Sequence, residues 1–438
     1  MKKMLKPRRA ALGALSLLLA LSALLFGNTS VGEVNSAAHA AAAAPRPDLT
    51  RTITEWTIPG CVNIPVPDDP PFIIPGCEPL HPTVFSDRRI FFTERQADKI
   101  GELDTVKNVF TEWALPPLAN PNPPPPVRPD LLARPHGIVK FRDGVMFCET
   151  GKGMIGFLDP TTNDLTEWQI PFLLFDPPGP PRPRLVSSNP LHPDPRGKLV
   201  YFTVSRTDRI AALDPELNQI TQWPVPTVDP GVNGIAVDGN RVFFAEVFGN
   251  KIGMLDLRTN TITEWALTPD SFPQHLVKAG RYVFFIDSGG KVGRLDPNTN
   301  VITEWEIPTP ASNPADIDVL SANLVIFTES NGNKIGQLET LEECGVSRTV
   351  LPVVTAAPPT QTDVPVSTTI VVPISTPALP VKTTVIGIQS CGFTEWPIPT
   401  PGSRPTGLRR FRGKGAVFCE SQENKIGVLS WGDDDDTD

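Results

Sequence analysis

Past its N-terminal segment, this chain has no apolar run long enough to cross a bilayer and no stretch able to hold a helical period. Its 51 prolines and 33 glycines interrupt every longer run, and apolar residues alternate over short distances instead, which excludes a helical fold. A basic stripe with interleaved aromatics is also missing and the net charge is −9, so nucleic acid is excluded as a partner. No zinc-type spacing, no Ser-His-Asp order and no phosphate-cradling Gly-rich loop is present. The Asp433–Asp436 run reads as a solvated tail within 433–438.

Repetition is what the chain has in quantity. Thr-Glu-Trp or a near copy occurs seven times, at Trp56, Trp113, Trp168, Trp223, Trp265, Trp305 and Trp396. The shortest spacings, 42 and 40 residues, are those of a propeller blade. Between Asn233 and Trp265 lie four β-branched or aromatic runs separated by Asp-Gly-Asn, Phe-Gly-Asn and Arg-Thr-Asn turns, the pattern of an antiparallel meander. The second run (Phe244-Ala245-Glu246) and the third (Lys251-Ile252-Gly253) each recur seven times. The expected fold is all-β, a seven-bladed β-propeller of four-stranded antiparallel blades spanning 51–432. The chain opens on a lone fourth strand (Thr52–Ile58) and ends on a lone third strand (Lys425–Trp431), so pairing the N-terminal strand into the last blade closes the ring and removes two edges.

Residues 1–40 carry a basic start, an apolar stretch and Ala38-His39-Ala40, which reads as a cleaved export signal, with a membrane anchor as the alternative. The mature protein is then expected to be a secreted, extracellular monomer. Export permits disulfides. Cys61 and Cys77 bracket one proline-rich excursion and Cys344 and Cys391 a longer one, so both pairs are expected to bond while Cys148 and Cys419 stay free. Proline-dense connections at about 116–135 and 171–195 read as extended and semi-rigid, and 344–391 as a loop or short extra hairpin. All three are expected on one face of the disc, where they form a binding surface or merely protect against proteolysis.

Thr303-Glu304-Trp305-Glu306-Ile307-Pro308-Thr309-Pro310, Arg134-Pro135-His136-Gly137-Ile138, and the recurring Phe-x-Glu and Lys-Ile-Gly runs together resemble the streptogramin B lyase (virginiamycin B lyase) family. The resemblance implies a lyase that opens a cyclic depsipeptide ester by elimination. In that family a histidine is the base, a second histidine from a neighbouring blade holds substrate, and Mg²⁺ lies between two glutamates. Carried over, His136 is the base, His81 the substrate contact and Glu149 the metal ligand. His81 lies 13 residues before Glu94 as His136 lies 13 before Glu149, and His275 lies one place off that count. The second glutamate is replaced by Arg134, which halves the protein charge available to Mg²⁺.

Two function classes follow: a metal-assisted carbon–oxygen lyase acting on a small cyclic peptide or ester, or a non-catalytic module binding an extracellular protein, polysaccharide or wall component. The carboxylates ending six second strands (Glu94, Glu149, Glu246, Asp287, Glu329 and Glu420) read either as an ion-holding ring or as partners within their own repeats. The tryptophans read as blade-to-blade packing.

Overall fold

The computed structural model describes residues 49–66, 72–117, 133–171, 192–194, 196–205, 207–411 and 415–431. The 1–40 segment expected to be an export signal, most of the two proline-rich connections and the acidic tail lie outside these residues.

Seven antiparallel sheets carry the repeats, each built from four strands in meander order. Blade 4 shows the unit: Val232–Asp238, Arg241–Glu246, Lys251–Asp256 and Thr261–Ala266. Blade 7 takes three strands from the C-terminus and its fourth from the N-terminus. Thr50–Thr57 pairs with Lys425–Ser430, setting Trp56 opposite Ile426. The expected closure is present.

The blades hold five strands, not four. The fifth comes each time from the segment between Cys344 and Cys391, which is neither a loop nor a single hairpin. It forms a belt. From blade 6 it passes to blade 5 (Val346–Thr349), blade 4 (Val353–Ala356), blade 3 (Thr360–Asp363), blade 2 (Val366–Ile370), blade 1 (Pro373–Pro377), blade 7 (Val381–Ile386) and back to blade 6 (Ile388–Ser390). In all seven blades it pairs with the Thr-Glu-Trp strand along its outer edge, as Pro373–Pro377 does with Val109–Ala114. The Cys344–Cys391 disulfide joins its two ends. Cys61–Cys77 is the other bond, and Cys148 and Cys419 are buried and take part in no disulfide, as expected.

The core is divided into clusters at the blade interfaces rather than pooled in one place. Between blades 4 and 5, Phe243, Ile252 and Trp265 meet Leu276, Phe285 and Ile302. Each repeat tryptophan falls in one of seven such clusters. In five of the seven the indole N–H also crosses the interface to an asparagine in the next blade's last turn, as Trp223 does to Asn260 at 3.0 Å and Trp265 to Asn300 at 2.8 Å, while Trp305 and Trp396 donate to the Leu341 and Leu49 carbonyls. Asn260 and Asn300 have left-handed backbones (φ 52° and 60°), which asparagine tolerates better than most residues. Their backbone carbonyls accept belt N–H groups, Asn260 from Ala357 and Asn300 from Val350, both at 2.8 Å. Belt residues Val350, Ala357, Val364, Val371, Ala378 and Val385, spaced by seven, each plug one interface cluster at its rim.

The glycine of Lys-Ile-Gly is explained by close approach. A Cβ on Gly253 would lie 2.2 Å from the Phe244 ring.

Candidate functional site in the central channel

The first strands of neighbouring blades touch one another around the ring and form its inner wall. In six of them the ladder register shifts at a bulge that sets two residues outside the strand pairing. Bulges re-aim side chains and recur beside functional sites. The first bulge position holds Leu80, His136, Asn233, Gln274, Ala315 and Thr406. The second holds His81, Gly137, Gly234, His275, Asp316 and Gly407. Where glycine stands, the neighbouring blade comes close: a Cβ on Gly407 would meet the Leu80 carbonyl at 2.4 Å. Blades 1, 5 and 6 therefore supply the side chains at the second position.

This register corrects one expectation from the sequence. Glu94 faces Pro79, 15 residues earlier, whereas Glu149 faces Pro135, 14 earlier. The blade 1 hairpin is one residue longer, so His81 matches His275 and Asp316 rather than His136.

The structure nonetheless brings His81 and His136 together, with ring centroids 4.8 Å apart. On its other side His81 stacks on His275 at 5.4 Å, the planes only 6° apart. His275 Nδ1 lies 2.8 Å from Asp316 Oδ1. Asp316 Oδ2 accepts the Leu408 N–H at 2.9 Å and an Arg409 guanidinium N–H at 2.7 Å. Burial would raise the Asp316 pKa, but Arg409 and then His275 hold it well below the usual carboxylate range. Burial pushes His81 down to about 4, so it is neutral at neutral pH. A cavity of about 370 Å³ opens on this cluster, lined by His192, His275, Asp316, Asp318, Arg409 and Arg410 among others.

Glu149 has other company. Its carboxylate is ion-paired with Lys152, whose Nζ also reaches Glu167 Oε1 at 2.6 Å. Burial pushes Glu149 up to about 8. The Arg134 backbone N–H donates to Asp98 Oδ1 at 2.7 Å. A fixed ammonium already occupies the Glu149 carboxylate, so these residues do not fit Mg²⁺. The other second-strand carboxyls follow a related plan. Burial and then the fourth-strand glutamates Glu112, Glu264, Glu395 and Glu55 raise Glu94, Glu246, Glu329 and Glu420. The lysines bond those same glutamates, as Lys99 does Glu112 at 2.8 Å. The geometry supports the within-repeat reading over an ion-holding ring.

No protein-family model and no curated protein matches the chain. Solved structures do. Virginiamycin B lyase from Staphylococcus aureus superposes with a TM-score of 0.60 at 21% identity, covering 87% of this chain and 99% of that one. A streptogramin B lyase structure gives 0.59 at 20% identity, covering 87% and 98%. The fold is that of the streptogramin B lyases. A catalytically inactive virginiamycin B lyase from Staphylococcus aureus with quinupristin matches at 0.59 and 20% identity, over 85% of this chain and 99% of that one. At this identity the likeness establishes the streptogramin-lyase fold, as the motifs implied, and nothing of the chemistry.

His275, Asp316 and Arg409 were not singled out as site residues from the sequence. A signal was present: counting forward from the first-strand proline (Pro79-Leu80-His81, Pro273-Gln274-His275, Pro314-Ala315-Asp316) puts all three polar side chains in one column. Counting back from the glutamate hides this, because hairpin lengths differ.

Proposed function

We propose that the protein is an exported propeller that takes a cyclic depsipeptide or similar small ester into its central cavity and opens it by carbon–oxygen elimination. His136 accepts the proton and His81 contacts the ligand. The observation that carries this reading is the pairing of those two imidazoles across neighbouring blades, 4.8 Å apart, in a fold shared with virginiamycin B lyase. Elimination needs a positioned base and donors for the charge that develops on the adjacent carbonyl. A neutral His81 offers hydrogen bonding without charge, and Arg409 lines the cavity that opens on His275, against which His81 stacks. Two disulfides suit an oxidising compartment.

The test is incubation of tag-free protein with a type B streptogramin in buffer without Mg²⁺, followed by mass detection of the linearised product. Product from the wild type and none from His136→Ala supports the lyase. Absence of product at any protein concentration overturns it. That outcome leaves the second reading, a non-catalytic module for an extracellular protein, polysaccharide or wall component, which the Lys152–Glu149 pair favours by filling the acidic site with a protein cation.

A further inference from the structure

The second bulge position carries three ligating side chains to one point. His81, His275 and Asp316 are 5%, 5% and 2% exposed. Their donor atoms lie within 4.8 Å of one another. The carboxylate is fixed in place: Oδ2 by the Leu408 N–H and Arg409, Oδ1 by the Ile317 N–H at 2.9 Å. Carboxylates that bind metals are held by outer hydrogen bonds of this kind. His81 Nδ1 is buried without a hydrogen-bond partner and lies 3.8 Å from Asp316 Oδ2. Buried ring nitrogens are normally satisfied, so an orphan aimed at a carboxylate points to a missing ligand.

We propose that His81, His275 and Asp316 form a binding site for one borderline divalent cation of the Zn²⁺ type. Two imidazoles and one carboxylate are a zinc-like donor set, whereas Mg²⁺ and Ca²⁺ take oxygen. The cavity beside them leaves room for water or ligand at a remaining position. The cation takes the place of the His275 Nδ1–Asp316 Oδ1 contact, with the proton of the neutral ring on Nε2. Arg409 sets the affinity: its charge cancels that of Asp316, leaving the dication without net protein countercharge. The site is separate from Glu149, and the ion lies against His81, next to His136.

The experiment is calorimetric titration of tag-free, chelator-treated protein with ZnCl₂ near neutral pH, with Co²⁺ absorption as a second probe. One ion per chain is expected, with cobalt bands showing nitrogen coordination. His275→Gln, which keeps a donor to Asp316, and His81→Ala each weaken binding by at least the ~10–100-fold that lost outer contacts produce at metal sites. Glu149→Gln leaves it unchanged. Arg409→Gln keeps a hydrogen-bond donor, removes the charge and tightens binding by about tenfold. No Zn²⁺ uptake by the wild type overturns the proposal, as does uptake that survives in a His81→Ala/His275→Gln double variant. Binding is read without turnover, so a failed streptogramin assay does not touch this result.

Discussion

At the scale of single residues, the asparagine ending five of the third-to-fourth-strand turns does two jobs that the sequence shows only as a turn signal. Asn300 accepts the Trp265 indole through its side chain and the Val350 N–H through its backbone, at φ 60°. Asn300→Ala orphans the indole donor and places alanine in a left-handed backbone. The expected loss is about 2–3 kcal/mol, read as a lower urea midpoint. The buried carboxyls make stability depend on pH. Burial, then Glu264, raises Glu246 from 4.5 to about 8, so between those values the folded chain binds more protons than the unfolded one. The contribution is full below about pH 4.5 and is lost as pH rises through about 8. The wild-type urea midpoint therefore declines from about pH 5 to about pH 9. Glu246→Gln declines less over that range, since glutamine stays neutral; equal slopes would show that Glu246 does not titrate there.

At the scale of elements, the belt has the largest consequences. Its heptad of small aliphatic residues (Ala357, Val364, Val371) plugs the blade interfaces, and its strands cover the edges of the Thr-Glu-Trp strands. Because the belt pairs with Thr50–Thr57 as well, its full circuit exists only once the N-terminal strand has joined blade 7. Closing a loop of 47 residues contributes about 4 kcal/mol in the chain-entropy model. Cys344→Ser/Cys391→Ser should lose about that much, with amide-exchange protection falling along 346–390 more than inside the blades. Uniform loss across the ring would instead mean that belt and blades unfold as one unit.

At the scale of the whole molecule, the ring is closed by its termini. Removing residues 49–57 empties the Trp56 slot among Phe92, Leu103 and Phe110 and bares the Lys425–Ser430 edge. The expected result is loss of the cooperative unfolding transition and appearance of oligomers in size-exclusion chromatography. A monomeric truncated chain with an unchanged midpoint would show that the belt alone holds the ring shut.

The sequence by itself determined the blade number, the closure and the burial of the tryptophans, because these follow from spacing repeated seven times along the chain, and the disulfides, because two cysteine pairs each bracket one excursion. It also marked His81 and His136 as neighbours across blades. The belt escaped because its strands have no partners in one another. Their hydrogen bonds go to seven different blades, so no local meander or hairpin signal arises, and only a faint period of seven records the geometry. The His81–His275–Asp316 cluster escaped for a related reason. Three bulges distant in the chain converge only when the ring is closed, and a one-residue difference in hairpin length decides which side chains meet.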